Sequence, residues 1–471
     1  MNQPNITILL NNQKQAFIQE GPVSQAVRVK RIQTTIDMLI KYQKQLTDAM
    51  SADFGGRHPG FSLMNDVMGS MSSLKHAREK CGDWMPSEKR AAFSPYDQMG
   101  AEAWVMYQPK GSVGIVGTWN APLYTLFAPL AYVFAAGNRA ILKPSEVSAN
   151  TSAVVAMAVK EMFDPLELAC AEGDAQFAGE FTSQAFDHIV FTGSTAVGKL
   201  VMQNAAKNLV PVTLELGGKS PTIIGKTADI DVSAWRISAA KASNNGQLCV
   251  NPDITYVPTE KLEAFVAAMK KHTNDIFPSI ANNPDITGII NPKHLQRVEG
   301  YITDAKAKGA RVEALTESVT DANNRKRGLS LVINPGKQTQ IMQEEIFGPA
   351  MVIQTYDDIK EVVADINSRP RPLALYYFGQ DPQEQDYVLG HTISGGVSVN
   401  EAMMHAAMHD APFGGVGASG MGHYHGKEGF LEFSHVRTVF KAGDIDPRKE
   451  WGAVPPYPEW LEGGMQQQLV P

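Results

Sequence analysis

The sequence predicts an α/β protein with two parallel sheets, and three features support this fold class. Between residues 109 and 216, short apolar runs typical of buried strands alternate with longer segments of helical period. A second series of the same kind begins near Pro221. The chain has 471 residues, enough for roughly three domain-sized units. Because strands that alternate with helices form parallel sheets covered on both faces, each series predicts one such sheet.

The elements of both series follow from their periodicity. In the first series we predict strands at 112–118, 139–143, 166–171, 188–192 and 212–216. Its predicted helices are 123–136, 151–163 (capped by Asn150) and 196–208. In the second series the predicted strands are 222–224, 254–257, 329–333, 374–378 and 396–399. Its predicted helices are 232–244, 262–276, 294–308 and 358–367.

The segments outside the two series have other patterns. Residues 10–85 carry long helical patterns, at 27–50 and 64–84, and residues 92–108 predict an extended hairpin. Beyond Pro412 the chain is rich in glycine, which suits a return across a domain junction. Residues 121–137 are uncharged, but they are too short to span a membrane comfortably and are interrupted by prolines. We therefore predict a buried helix there.

Composition excludes several classes of protein. Hydrophobic residues make up 43% and charged residues 19% of the chain, which is typical of a soluble globular protein. The net charge of −7 and the pI near 5.9 argue against a nucleic-acid partner. The cluster Arg28, Lys30 and Arg31 is typical of a solvated helix face. We find no secretory signal and no membrane anchor in the tail 442–471.

Cysteine usage predicts a reducing, cytoplasmic compartment. Three cysteines without close spacing give neither a disulfide framework nor a thiolate metal site. Cys81 lies near the end of a predicted helix and Cys170 in an apolar strand, so both are expected to be inert. Cys249 alone has a polar context, after a helix and Gly246. Its thiolate is a candidate nucleophile, although a lone cysteine more often serves packing.

Glu215 is the candidate general base. It ends a predicted buried strand, between Leu214 and Leu216, where a carboxyl group tends to have a raised pKa. The alternative is an ion pair with Lys219. Asn120, with Trp119, ends the first strand of the first series, at the edge where open α/β sheets bind ligands. Its amide could stabilise an oxyanion, or it could simply close a turn.

Two further segments could contact a dinucleotide. Gly193 and Ser194 stand between a predicted strand and a helix, and a helix N-terminus binds phosphate. The spacing is Gly-x-x-x-x-Gly, so an ordinary strand-to-helix turn is the alternative. The segment Lys143-Pro144-Ser145-Glu146 follows the second strand, where an acidic residue can bind an adenosine ribose. The alternative is that the segment simply ends a strand and leaves the Lys143 and Glu146 charges in water.

The histidine pairs do not predict a metal site. His405 and His409 could share a helix face, but the glutamate of a His-Glu-x-x-His motif is absent. His423 and His425 are assigned to structure as well. We predict no bound metal.

Together these segments resemble the aldehyde dehydrogenase superfamily over about residues 20–440. The matching segments, in order, are Trp119-Asn120, Lys143-Pro144-Ser145-Glu146, Phe191-Thr192-Gly193-Ser194, Glu215-Leu216-Gly217-Gly218, Gly246-Gln247-x-Cys249, Glu345-x-Phe347-Gly348-Pro349 and Pro412-Phe413-Gly414-Gly415. The short N-terminus resembles the class 3 branch. Within that branch three segments look most like bacterial coniferyl aldehyde dehydrogenases: Asp53-Phe54-Gly55, Arg369-Pro370-Arg371-Pro372-Leu373-Ala374 and Gly422-x-Tyr424-His425-Gly426.

The resemblance implies a fold and an assembly. It implies a Rossmann-like NAD-binding domain (1–90 and 109–216) and a second α/β catalytic domain (217–411). A small β bridging element (91–108 and 412–441) would join two subunits of a homodimer, and 442–471 would form a C-terminal tail. The resemblance also implies NAD as cofactor, with NADP possible. NAD is favoured because Glu146 would repel the 2′-phosphate of NADP.

The resemblance also implies residue roles. Cys249 would attack the aldehyde, the Asn120 amide and the Cys249 N–H would hold the oxyanion, and Glu215 would activate the water that hydrolyses the thioester. The implied cofactor-binding residues are Trp119, Lys143, Ser145, Glu146, Gly193, Ser194, Glu345 and Phe347. Two positions depart from the family pattern. Ala121 replaces an aromatic residue, and Asn245 stands where a small residue is usual.

The predicted function is NAD(P)-dependent oxidation of an aldehyde, of an aromatic, coniferaldehyde type, to the free carboxylic acid. Medium-chain aliphatic aldehydes are an alternative substrate class. The competing functions are those of a coenzyme-A-acylating dehydrogenase, a cysteine hydrolase and a non-catalytic homologue. Glu215 argues against the acylating enzyme, because acylation of coenzyme A needs no water-activating carboxylate. The intact set of Cys249, Glu215 and Asn120 argues against the non-catalytic homologue.

Overall fold

A computed structural model describes residues 5–94, 96–316 and 324–469. Residues 1–4, 95, 317–323 and 470–471 lie outside the described residues. The two predicted domains, the bridging element and the C-terminal tail each include at least one of them. The strands are β1 Glu88–Arg90, β2 Glu102–Pro109, β3 Ser112–Val116, β4 Arg139–Lys143, β5 Leu168–Cys170, β6 His188–Thr192, β7 Val212–Glu215, β8 Pro221–Ile224, β9 Ile254–Pro258, β10 Arg311–Ala314, β11 Ser330–Ile333, β12 Ala350–Tyr356, β13 Ala374–Phe378, β14 Gly396–Val399, β15 Gly420–Met421 and β16 Ser434–Lys441.

The helices connect and cover these strands. They are α1 Ile6–Glu20, α2 Gln25–Phe54, α3 Pro59–Ser62, α4 Gly69–Trp84, α5 Tyr124–Ala135, α6 Ala149–Met162, α7 Ala175–Thr182, α8 Thr195–Ala206, α9 Ile230–Ala242, α10 Leu262–Ile276, α11 Pro292–Ala307, α12 Gln340–Gln343, α13 Ile359–Asn367, α14 Pro382–His391, α15 Gly426–Glu432, α16 Pro447–Glu450 and α17 Trp460–Gln466. A π-helical turn, Leu63–Met68, precedes α4, so the helix predicted at 64–84 begins with a wider turn than expected. Turns of this kind are frequent at functional sites.

The first parallel sheet has the spatial order β5-β4-β3-β6-β7. Each neighbouring pair is parallel, and helices α5 to α8 lie in the connections. The strand order runs outward in both directions from β3, as in Rossmann-like sheets, which bind ligands beyond the carboxyl ends of the strands at this switch point. All five predicted strands are present. Strand β15 adds an antiparallel edge, on which Gly420 pairs with Glu215.

The second sheet has the order β10-β11-β12-β9-β8-β13-β14. Strand β10 is antiparallel to β11, and the other neighbours are parallel. The five predicted strands are again present, and β13, β14 and α10 have the predicted bounds. Sequence analysis missed β10, β12 and α14. The alternating series therefore predicted the type of sheet but not its full width.

A third, antiparallel sheet has the order β1-β2-β16. The predicted hairpin at 92–108 is partly wrong, because Tyr96–Met99 is a 3₁₀ turn and the strand that pairs with β2 on that side is the earlier β1. On its other side β2 pairs along its whole length with β16. The two segments assigned to a bridging element thus contribute strands to one sheet. The domain boundaries themselves stay a prediction.

Long-range packing overturns two local predictions. Arg28 and Arg31 are not on a solvated face, since both are buried. Arg31 pairs with Glu20 and Glu167, and Arg28 donates to the Ala135 carbonyl. The predicted Asn150 cap is also wrong, because the helix begins two residues earlier, at Ala149, with Ser148 as its N-cap. Asp53, from α2, accepts the N–H groups of residues 150 and 151 instead.

The predicted buried helix is confirmed. In α5 the residues from Thr125 onwards are buried, and Pro129 lies inside the helix. Of the helices in the described residues, none has the length and apolar character needed to cross a membrane. The carboxyl ends of β3, β6 and β7, with the turns that follow them, provide one wall of a cavity between the two parallel sheets.

Candidate active site

One cavity of about 280 Å³ contains most of the predicted site residues. It lies at the switch point of the first sheet, and the residues after β8 provide its other wall. Its lining includes Trp119, Asn120, Gly193, Ser194, Glu215, Cys249, Glu345 and Phe347. The candidate nucleophile and the candidate general base therefore share one cavity. Lys143, Ser145 and Glu146 lie outside it, at the end of β4.

The turn before Cys249 has an unusual backbone. After α9 ends, Asn244, Asn245 and Gly246 have φ values of 49°, 52° and 79°. Asparagine and glycine tolerate this left-handed region better than other residues. A Cβ at residue 246 would collide with the carbonyl of Gly348. The sequence Asn-Asn-Gly thus permits a tight turn that delivers Cys249 to the cavity.

Side-chain amides hold this turn in place. Asn245, at the position that departs from the family pattern, donates to the carbonyls of Thr287 (3.1 Å) and Arg327 (3.3 Å). Asn244 donates to the carbonyls of Asn120 (3.0 Å) and Gln247 (3.1 Å). The larger residue at 245 therefore adds two hydrogen bonds to buried backbone. Buried amides that are paired in this way rigidify their surroundings.

Gln247 ties the same turn to the chain before α11. Its Nε2 donates to the carbonyls of Asn244 and Gly288, each at 3.0 Å. Its Oε1 accepts the N–H of Ile290, also at 3.0 Å. The side chain is fully buried. Gln247 thus fixes the backbone from which Cys249 projects.

Asn120 lies opposite this turn with its amide buried. Its Nδ2 donates to the Gln247 carbonyl at 3.1 Å, while its Oδ1 has no hydrogen-bond partner among the described residues. A carboxamide carries two N–H donors, so one remains for a ligand. The side chain could therefore donate to a developing oxyanion beside Cys249.

Glu215 is buried at the end of β7, and both of its carboxyl oxygens lack a hydrogen-bond partner among the described residues. Burial, followed by the charge of Glu432, raises its pKa well above the ordinary value. The alternative ion pair with Lys219 is not formed, because Lys219 pairs with Asp253 and donates to the Glu344 carbonyl. A buried carboxyl group whose oxygens lack such partners, next to a cavity, is suited to exchange a proton with water.

The cavity disfavours the thiolate of Cys249. Burial raises its pKa to about 12, and the charges of Glu345 and Glu215 add to the effect. Burial likewise raises the pKa of Glu345 to about 8. Both carboxylates oppose formation of the thiolate. A cation bound in the cavity would therefore favour the thiolate.

Glu345 and Phe347 form the wall opposite Trp119. Phe347 has a φ of 45°, and its ring makes an edge contact with Trp119 at a centroid distance of 5.4 Å. The Glu345 carboxyl group packs against Gly217, where a Cβ would collide with it. Arg297 holds this segment by donating to the carbonyls of residues 345 (3.1 Å), 346 (2.8 Å) and 347 (3.2 Å).

Sequence reasoning missed Arg297 and His294, which also line the cavity. Both lie on α11, and the His294 ring is 5.0 Å from Trp119. Burial lowers the pKa of His294 to about 4, so its ring is neutral. Their spacing of i, i+3 placed them on one helix face, but nothing local indicated which face meets the cavity.

The residues predicted to bind the phosphates and the adenosine ribose lie at the rim of the cavity and beyond it. Ser194 is the exposed N-cap of α8 and accepts the N–H of Val197 at 3.4 Å. At the end of β4, the buried Lys143 ammonium lies 2.6 Å from the exposed carboxylate of Glu146. The hydroxyl of Ser145 accepts the N–H of Val147. Ser194 follows β6 and the Lys143–Glu146 pair follows β4, and these two strands flank β3 in the sheet, so one extended ligand could contact both places.

Three of the histidines assigned to structure have hydrogen-bond partners in the protein. His405 bonds with Ser398 Oγ at 3.0 Å, and His425 with the Tyr124 hydroxyl at the same distance. His409 bonds with Ser73 Oγ at 3.2 Å. Within the described ranges, no group of three or more His, Cys, Asp or Glu side chains could hold a metal ion.

Comparison with known proteins agrees with this fold and site. Residues 2–439 match the model of the aldehyde dehydrogenase family. Over 433 residues the chain is 45% identical to the coniferyl aldehyde dehydrogenase of a Pseudomonas species, with 91% of this chain and 89% of the relative covered. It is 34% identical over 446 residues to a dimeric, NADP-preferring aldehyde dehydrogenase of Rattus norvegicus, with 94% and 96% covered.

A solved structure is similar over the whole length. Staphylococcus aureus AldH in a substrate-bound state matches with a TM-score of 0.90 and 30% identity, and the match covers 100% of both chains. The chain therefore belongs to the aldehyde dehydrogenase family. It is an NAD(P)-dependent aldehyde dehydrogenase, and the predicted α/β fold with a Rossmann-like sheet is confirmed.

Glu345→Gln should make the Cys249 thiol easier to ionise. In the cofactor-free enzyme, the pH at which iodoacetamide alkylates Cys249 half-maximally should fall, because the variant lacks a charge that opposes the thiolate. The effect should appear above about pH 8, where Glu345 ionises. Peptide mapping separates Cys249 from Cys81 and Cys170. Glu361→Gln, an exposed change on α13, is the control and should leave the profile unchanged. An unchanged profile in Glu345→Gln would contradict this electrostatic coupling.

Proposed function

We propose that this enzyme oxidises an aromatic, propenal-type aldehyde to its free acid, with Cys249 as nucleophile and Glu215 as general base. The observation that carries the proposal is the shared cavity, which holds the thiol, the unpaired carboxyl group and the Asn120 amide. Covalent catalysis of this kind needs a nucleophile, an oxyanion donor and a base around one carbon atom. All three groups line the same cavity, which supports the proposal.

In the first half-reaction, the Cys249 thiolate adds to the aldehyde carbon and gives a hemithioacetal. The free N–H of Asn120 and the backbone N–H of Cys249 stabilise the oxyanion, a role worth about 3–4 kcal/mol for one donor. Bound NAD supplies the hydride acceptor. Loss of hydride and collapse of the oxyanion leave a thioester on Cys249.

In the second half-reaction, Glu215 takes a proton from water, and the hydroxide attacks the thioester carbon. The bond to sulfur breaks, the free acid leaves, and the departing sulfur takes up the proton held by Glu215, which restores the thiol. Glu215 can receive the proton because neither of its oxygens is engaged by another side chain or N–H among the described residues. Its raised pKa makes it a stronger base than an exposed carboxylate.

The remaining matched residues are proposed to bind the cofactor. The exposed N-terminus of α8, with Gly193 and Ser194, suits the pyrophosphate because unpaired N–H groups point outward there. The Lys143–Glu146 pair, with Ser145, suits the adenosine ribose. Glu345 suits the nicotinamide ribose, and the rings of Trp119 and Phe347 enclose the adjoining space. We favour NAD over NADP because of the Glu146 carboxylate.

The substrate class rests on relatives and on one residue. The Pseudomonas relative, at 45% identity, is named for coniferyl aldehyde. Ala121, directly after Asn120, has a small side chain where the family often has an aromatic ring. Medium-chain aliphatic aldehydes are the alternative. Initial rates with aromatic propenals and with aliphatic aldehydes of matched length, each with and without coenzyme A, separate these classes and the coenzyme-A-acylating reaction.

We also propose a cytoplasmic homodimer with the domain boundaries that the family resemblance implies. The relative from Rattus norvegicus is named as dimeric. Strand β16 and strand β2 form a sheet with exposed apolar residues, including Val436 and Phe440, that a second subunit could cover. The three cysteines are free thiols, in keeping with a reducing compartment.

Glu215→Gln should uncouple the two half-reactions. A burst of NADH close to one per active site should persist, while the steady-state rate falls by about 10²–10⁴, the usual contribution of a general base. In the native enzyme the hydrolytic rate should rise with pH as the raised pKa of Glu215 is passed, since only the carboxylate accepts a proton. Cys249→Ala is the control and should show neither burst nor turnover. Loss of the burst in Glu215→Gln would refute the assignment.

Glu146→Gln should increase the use of NADP. Removal of one carboxylate near the 2′-phosphate should lower the KM for NADP about fivefold, which corresponds to about 1 kcal/mol for exposed charges in water. The KM for NAD should rise, because a ribose acceptor is weakened. Glu361→Gln, an exposed change on α13, is the control. An equal effect on both cofactors would count against this site.

A further inference from the structure

The loop that carries Asn120 is held by a buried ion pair outside the cavity. Asp66 lies in the π-helical turn Leu63–Met68, and its Oδ2 lies 2.8 Å from Arg57 Nη2. Neither side chain is exposed. Asn65 Nδ2 donates to the same oxygen at 3.1 Å. The other oxygen, Oδ1, accepts the backbone N–H of Leu123 at 3.2 Å.

The Leu123 contact caps a helix from a distance. Leu123 is the N-cap residue of α5, and its own side chain makes no capping hydrogen bond. The first N–H groups of a helix need acceptors, and a carboxylate at this end also interacts favourably with the helix dipole. Asp66, which lies in another element, thus supplies the hydrogen-bond acceptor that the sequence around Leu123 lacks.

The residues on either side of Asn120 are hydrogen-bonded to the first turn of α5. The Thr125 hydroxyl accepts the N–H of Thr118 at 3.1 Å and donates to the carbonyl of Ala121 at 3.0 Å. The turn that carries Asn120 and the first turn of α5 are therefore one hydrogen-bonded unit. Asp66 fixes that unit relative to the N-terminal helices.

Arg57 contacts the other side of the same unit through an aromatic ring. Its guanidinium lies 4.9 Å from the ring centroid of Phe54 and 4.8 Å from that of Phe61. The Phe54 ring in turn lies 6.3 Å from Trp119, the residue before Asn120. The ion pair and its aromatic neighbours therefore reach the chain both before and after Asn120.

From this geometry we propose that Asp66, together with Arg57, is a positioning residue that sets the Asn120 amide against Cys249. The inference rests on the proposed function, in which Asn120 donates to the oxyanion. A buried ion pair is expensive to desolvate, and removal of one partner leaves an uncompensated charge. Here the charge has a use that a hydrophobic pair lacks, because only an acceptor can bind the Leu123 N–H.

The test is a double-mutant cycle with four forms of the full-length enzyme, assayed with NAD: native, Asp66→Ala, Asn120→Ala and the double variant. Asn120→Ala should lower kcat by about 10²–10³, as for other oxyanion donors. Asp66→Ala should lower kcat by about 10–10², as expected for an amide displaced by up to about 1 Å. The double variant should be no slower than Asn120→Ala, because both changes remove one interaction.

Two readouts separate positioning from general destabilisation. The KM for the aldehyde and the alkylation rate of Cys249 in the cofactor-free enzyme should stay near native in Asp66→Ala, since neither needs the Asn120 donor. Glu20→Ala is the matched control, because it also deprives the buried guanidinium groups of Arg31 and Arg139 of a carboxylate. It should lower the thermal midpoint but leave kcat per folded enzyme unchanged.

Asp66→Asn keeps the fold testable if the alanine variant does not fold. The asparagine Oδ1 can still accept the Leu123 N–H, so the kcat of this variant should lie between those of the native enzyme and Asp66→Ala. The double-mutant cycle can then be run with Asp66→Asn in place of Asp66→Ala. Multiplicative losses of kcat in the double variant would overturn the inference, as would equal losses in Asp66→Ala and Glu20→Ala. A native kcat in Asn120→Ala would instead refute the proposed role of Asn120, which distinguishes the two failures.

Discussion

Burial of Cys249 and Glu215 in one small cavity is the constraint on which the rest of the site depends. Both groups are acids that water would ionise more readily, and the cavity raises the pKa of each. These shifts disfavour the ionised forms of both groups. Reaction requires a ligand that favours the thiolate and a water molecule that reaches the carboxyl group. The reaction therefore depends on a bound ligand. Desolvation suppresses ionisation of the two acids, but it also strengthens every charge interaction that a ligand makes within the site.

Several hydrogen bonds hold each segment of the backbone around the cavity in place. Three consecutive left-handed residues, 244–246, would be strained in isolation, and buried amides compensate for that strain. Asn244 binds the carbonyl of Asn120, and Asn120 binds the carbonyl of Gln247. The candidate oxyanion donor is therefore fixed to the turn that precedes the candidate nucleophile. Arg297 performs the equivalent task for the Glu345–Phe347 segment across the cavity.

Sequence reasoning succeeded where local period decides the structure. Strands β4, β6, β13 and β14 and helix α10 have the predicted bounds, because each is a uniform apolar run or amphipathic pattern. Sequence reasoning failed where a residue distant in the sequence decides the local structure. Arg31 was predicted to be solvated because Glu20 and Glu167 are not its helical neighbours, and Asp53 caps a helix almost a hundred residues away. The motif residues were found because their types are chemically restricted. Arg297 was missed because any helix face can carry an arginine.

The central claim is that the aldehyde carbon becomes bonded to the Cys249 sulfur within reach of Glu215. The most direct test is acid quench of Glu215→Gln after mixing with aldehyde and NAD, followed by mass spectrometry of the peptide that contains Cys249. We expect an acyl adduct, with the mass of the acid less water, on most Cys249 and on neither Cys81 nor Cys170. NADH formation with unmodified Cys249 at every time point, or an adduct on another residue, would contradict the claim.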